Sequence, residues 1–176
     1  MNYIFVIFFY ALIIFLIYYN RKKFDIHAKF IALYRTQVGI SWMKKIAKLA
    51  PRFWKYWAYI GVFIGYIGLF VITYVLVKGL LDLFLIPEAP ASISIVLPGV
   101  KIPGSAIFVP FWSGLISIFI VAFIHEFAHG IISKLYNIRV KSSGIVFFGP
   151  IIGAFVEPDE EVLKKAPKMQ QLSIFA

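Results

Sequence analysis

Apolar residues in this chain come in long blocks separated by short polar stretches. The hydrocarbon core of a bilayer is about 30 Å thick and needs about 20 residues of helix. Three blocks meet that length: Asn2 to Tyr19, Tyr56 to Val77 and Phe111 to Ile132, the last opening just after Pro110. Each predicts a membrane-crossing helix. Gly61, Gly65 and Gly68 in the second block are spaced to let another helix approach closely. A fourth apolar run, Leu172 to Ala176, reads as the start of a further span.

The stretches between the blocks have patterns of their own. Ile40, Met43, Ala47, Ala50, Trp54 and Trp57 recur at helical spacing, with Lys44, Lys45, Lys48, Arg52 and Lys55 on the opposite face. This predicts an amphipathic helix lying on the membrane surface, kinked or restarted at Pro51. The 91–110 segment, with turn signals at Pro98–Gly99 and Pro103–Gly104, predicts short strands. Gly149–Pro150 turns two more, Ile145–Phe148 and Ile151–Val156. An amphipathic helix then begins near Pro158 and Asp159, with Asp159 as its cap. The expected architecture is an α-helical multi-pass membrane protein. It has three transmembrane helices and the start of a fourth, with short β-hairpin or re-entrant segments flanking the third. The boundaries fall at 1–20, 21–55, 56–78, 79–110, 111–133 and 134–176.

Composition sharpens this picture. Hydrophobic residues make up 61% of the chain and charged residues 15%, whereas soluble domains are about half apolar and about a quarter charged. The net charge of +10 is concentrated. Ten of the 18 basic residues lie in 21–55, where Asp25 is the only acid. That bias marks a cytoplasmic loop facing anionic lipid, in a cell-membrane protein whose N-terminus is outside. No basic fold motif accompanies the charge, so nucleic acid is not an expected partner. The first block has no basic residue ahead of it and Arg21–Lys22–Lys23 behind it, the reverse of a signal peptide, so a retained span is expected. With no cysteine in the chain, thiolate metal sites are excluded.

The chemistry sits in the third block. His125, Glu126 and His129 form an His–Glu–x–x–His run. Residues four apart share a helix face, so both imidazoles reach one ion, while Glu126 projects about 100° away, beside it. Two histidines plus an adjacent carboxylate suit a catalytic Zn²⁺, one per site. The metal polarises the scissile carbonyl and acidifies the attacking water. Glu126 then serves as general base and acid. An ionised side chain at the bilayer centre costs at least about 2.5–3.5 kcal/mol, which disfavours these residues as mere packing. Gly114 and Ala122, small residues on the ligand face, allow a neighbouring helix or a substrate to come close.

At these residues the chain resembles the site-2 protease family of intramembrane zinc metalloproteases. The match runs through HEFAHGIISKLYNIRVKSSGIVFFGPIIGAFVEPDEE, 125–161, while RTQVGI (35–40) and PGVKIPG (98–104) look like its larger, PDZ-containing branch. The resemblance implies cleavage of membrane-anchored substrate proteins in or near their transmembrane segment. It also implies Zn²⁺ on His125 and His129, with Glu126 as the catalytic residue. It implies further that the hairpin residues Gly149, Pro150, Gly153, Ala154 and Phe155 hold an unwound substrate strand, though the hairpin also reads as a re-entrant packing element. The family's third ligand is an aspartate in an Asp–Gly motif. This chain has only Asp25, Asp82 and Asp159, none followed by glycine. The expectation is therefore an N-terminal portion whose third ligand lies beyond residue 176. Two other readings stay open. One is a different membrane His–Glu–x–x–His peptidase of membrane-protein quality control. The other is a non-catalytic scaffold or proton-relay transporter.

Overall fold

The computed structural model describes residues 3–27, 31–86, 98–100, 108–148 and 151–176. Three apolar helices form its frame. Helix α1 spans Tyr3–Tyr19, α3 spans Pro51–Leu85, and α4 spans Phe111–Leu135. Between α1 and α3 come strands β1 (Phe24–His27) and β2 (Ile31–Thr36) and helix α2 (Ile40–Leu49). After α4 come β3 (Val140–Phe148), β4 (Ile151–Pro158), α5 (Glu160–Lys165) and α6 (Lys168–Phe175).

Helices α3 and α4 are each long and apolar enough to cross a membrane. With 35 residues, α3 is about 50 Å long at 1.5 Å per residue and exceeds the hydrocarbon core at both ends. Two of the three expected spans are therefore present at full length. The first is an apolar helix of 17 residues, at the short limit for a crossing. It leans on the start of α4 through aromatic edges: Phe9 meets Trp112 at 5.2 Å and Tyr10 meets Phe111 at 5.7 Å between ring centroids.

Pro51 does what its sequence position predicts. It ends α2 and opens α3 at the first helical position, where its missing N–H is no loss. The apolar face of α2, however, is not left for lipid. Met43 and Ala47 are buried with Ile131 of α4. A Cβ at Gly130 would overlap the Met43 thioether, so glycine is what lets the two helices meet. Helix α4 stops on Asn137, whose φ of 60° is left-handed. The Ile138 N–H then donates to the Ser133 carbonyl at 2.8 Å and the Asn137 N–H to that of Lys134 at 3.2 Å. These two bonds make a Schellman cap. Ile138, now turned inward, packs with Ala58, Ile132, Leu163 and Ile174.

The four strands form one antiparallel sheet in the order β1-β2-β3-β4. The β3–β4 hairpin is the expected one, extended to Val140 and Pro158. The β1–β2 hairpin corrects the reading of 21–55 as a basic loop carrying only a helix. Its second strand pairs with β3 from Ile31↔Phe148 to Thr36↔Ser143. Gly144 permits the close approach, since a Cβ there would overlap the Tyr34 carbonyl oxygen.

Three further expectations need adjusting. Pro98–Gly99 is a turn, with Gly99 at φ 80° and its N–H donating to the Val109 carbonyl at 2.8 Å. The rest of the expected outer strands lies outside the described residues. Gly114 faces that turn and not a helix or a substrate: a Cβ there would come within 2.9 Å of the Pro98 Cβ. The single amphipathic helix expected after Pro158 is two. Asp159 caps α5 by accepting from the Glu161 N–H, and Pro167 restarts the chain as α6. Burial opposes the charge on Asp159, but Lys141 and the amides of Val162 and Glu161 outweigh it and hold its carboxyl below the usual range.

Candidate active site

The site is built on the second half of α4. One turn of helix brings the Nε2 atoms of His125 and His129 within 2.9 Å of each other. Glu126 lies next to them, and one ligand atom from each of the three residues falls within a common 4.8 Å. Among the described residues this is the one such cluster of three or more metal-binding side chains.

The His129 ring is oriented from behind. Its Nδ1 bonds the backbone carbonyl of Ile174 on α6. A carbonyl only accepts, so Nδ1 carries a proton and Nε2 is the nitrogen left to face an ion. Two nitrogens bound to a tetrahedral Zn²⁺ at 2.0–2.1 Å sit about 3.3 Å apart. The observed spacing is a few tenths of an ångström shorter, within the reach of small side-chain rotations. Two imidazole nitrogens converging on one point therefore fit the ion.

Glu126 faces a different environment. Its Oε2 accepts the Val156 N–H of β4 at 3.0 Å. Since β4 is the outer strand, that N–H is an edge donor pointing away from β3. Main-chain groups alternate in direction along a strand, so those of Ala154 and Ile152 share this outward side. Helix α4 thus divides two cavities. One of about 480 Å³ contains His125 and His129, walled by α3 and α6. The other, about 380 Å³, contains Glu126 and lies between α4, α2 and the sheet.

The strands are tied together on their far face. Arg35 of β2 donates to Asp25 of β1 at 2.6 Å, to Ser142 of β3 at 3.1 Å, and to Glu157 of β4. Ser142 also donates to Glu157 at 2.6 Å. One polar row therefore crosses all four strands and fixes the strand that holds Glu126. Sequence reasoning singled out Arg35 and Glu157 only as parts of longer runs. Their pairing joins residues 122 positions apart, which no local pattern encodes.

The three helix residues predicted from the motif thus come together. Of the hairpin residues, Gly153, Ala154 and Phe155 lie on β4, the last two lining the cavity that contains Glu126, while Gly149 and Pro150 lie outside the described residues. The aspartates do not join the site: Asp25 pairs with Arg35 and Asp159 with Lys141.

The region that contains this cluster, the hairpin and the last two helices also has known relatives. Residues 113–176 match peptidase family M50. This is the site-2 protease family, whose members are zinc-dependent membrane metallopeptidases, and it bears out the resemblance read from 125–161. The M50 region begins two residues inside α4 and takes in α6 and β4, whose backbones bond His129 and Glu126. An uncharacterized protein of Methanocaldococcus jannaschii is 30% identical over 161 residues, covering 86% of this chain and 40% of the relative. The chain thus spans about two fifths of that relative's length. No solved structure matches it.

Proposed function

We propose that the full protein is a zinc-dependent endopeptidase that cleaves membrane-anchored proteins in or near their transmembrane segments. The observation that carries this reading is the 2.9 Å convergence of two imidazole nitrogens beside a carboxylate on a membrane-length helix. When bound, the zinc supplies Lewis acidity, polarising the scissile carbonyl and acidifying the attacking water. His125 and His129 would hold it through Nε2. Glu126 takes the proton from the water and delivers it to the leaving amine. A third ligand, an aspartate outside this chain, completes the set, and the PDZ module of the larger branch lies there too.

A helical substrate shields its peptide bonds in its own hydrogen bonds. It must unwind before attack, and an extended segment then needs new partners in an apolar setting. The outward main-chain groups of β4 offer them by strand addition. The reading also places the basic 21–55 stretch at the cytoplasmic surface and the N-terminus outside, supported by the run of ten basic residues against one acid.

The test is zinc content and cleavage of a transmembrane reporter by the full protein in proteoliposomes. Glu126→Gln is expected to lower the rate by about 10²-fold or more while zinc stays bound. Wild-type rates in that variant would remove Glu126 as the base. A full protein that takes up no stoichiometric zinc would sink the reading altogether.

A further inference from the structure

The cavity on the Glu126 side has a definite construction. Paired residues in neighbouring strands share a face, so the register puts Tyr34, Ile145 and Ala154 in one row across β2, β3 and β4. That row is the floor. The roof is a ladder of rings on one stripe of α4, with Phe119 and Phe123 6.4 Å apart and Phe123 and Phe127 5.7 Å apart between centroids. Glu126 is the one charged residue in the lining. Ala154, the smallest side chain of the floor, lies on the edge strand two residues from the amide that Glu126 holds.

We infer that this cavity is a specificity pocket taking a large apolar side chain of the substrate residue next to the scissile bond. This rests on the peptidase reading above. Three features select that occupant. At about 380 Å³ the space is within the range of binding pockets and suits a leucine or an aromatic ring, not a whole helix. Its walls reject charge, and transmembrane segments are rich in leucine, isoleucine and phenylalanine. A strand added along β4 alternates its side chains, so a residue beside Ala154 points into the space between floor and roof. The peptide bond next to that residue then lies at Glu126. Ala154 and Phe119 set the depth and the height of the pocket, and hence its preference.

The experiment uses the full protein, loaded with zinc in proteoliposomes, and reporters that differ only at the residue beside the mapped cleavage point. The wild type should prefer Leu or Phe over Ala there. Ala154→Leu fills the floor and should lower that ratio of kcat/KM by about tenfold or more. Phe119→Ala opens the roof and should shift preference towards Trp. Cleavage with the same ratios in both variants overturns the pocket but leaves the peptidase standing, as expected if lipid fills the space. No cleavage by the wild type overturns both. Should Ala154→Leu fail to fold, a photoreactive phenylalanine at the same reporter position decides. In Glu126→Gln protein it should cross-link to 119–127, Tyr34, Ile145 or Ala154, and cross-linking elsewhere overturns the pocket.

Discussion

Two glycines at the heart of this structure look alike in sequence and differ in what they prevent. A Cβ at Gly130 meets the far end of the Met43 side chain, which can swing aside. A Cβ at Gly144 meets the backbone carbonyl of Tyr34, which cannot move without separating β2 from β3. Overpacking typically costs about 1–3 kcal/mol, and the backbone clash belongs at the upper end. Gly144→Ala should therefore lower the thermal midpoint of detergent-solubilised protein clearly more than Gly130→Ala. Trimming the thioether with Met43→Ala should remove the incremental effect of Gly130→Ala. If Gly144→Ala is as stable as wild type, the strand approach is not as tight as described.

At the level of elements, the row Asp25–Arg35–Ser142–Glu157 links all four strands of the sheet. Each pair alone is worth little, because Arg35 is 38% and Glu157 36% exposed, and exposed pairs contribute about 0.2–1 kcal/mol. A double-mutant cycle of Arg35→Gln with Glu157→Gln should still give a coupling of about 0.5–1 kcal/mol, falling with added salt. A coupling of zero would mean the strands are held by backbone bonds alone. The same elements show where sequence was readable. The α4 block, its metal motif and the β3–β4 hairpin are each local patterns: an apolar length, a four-residue spacing, a Gly–Pro turn between apolar runs. Strands β1 and β2 are not. FDIH alternates over only four residues, too short to stand out among its basic neighbours, and IALYRT puts apolar groups on both faces. The strand that joins β2 to the rest of the sheet, β3, is more than 100 residues away. The α2 stripe was legible as a face but not as a face for α4, since a pattern of apolar positions does not say whether lipid or protein will cover it.

For the whole molecule, the frame and the metal site are separable. The two buried clusters, around Ile138 with Ile174 and around Met43 with Ile131, contain no zinc-binding side chain. The fold should therefore persist without metal and gain from it by mass action. At free zinc 100-fold above its dissociation constant the gain is about 2.7 kcal/mol. A zinc-dependent rise in the thermal midpoint of the full protein, absent in His125→Ala, is the expected result. Unfolding of the wild type on chelation would instead make the ion part of the frame.

The bond from the Val156 amide to Glu126 bears on how inactive forms of this protein should be made. An outermost strand in apolar surroundings leaves its outward amides without water, and a buried donor stripped of its partner costs about 1–3 kcal/mol. The side chain of Glu126 is therefore a stopper on raw backbone as well as a proton carrier. Glutamine keeps an oxygen in that place, whereas alanine leaves the amide bare. Glu126→Gln should melt with the wild type, while Glu126→Ala should be equally inactive and measurably less stable. Substrates trapped on the alanine form would meet an edge already altered, so the glutamine form is the one in which a captured peptide reports the native groove.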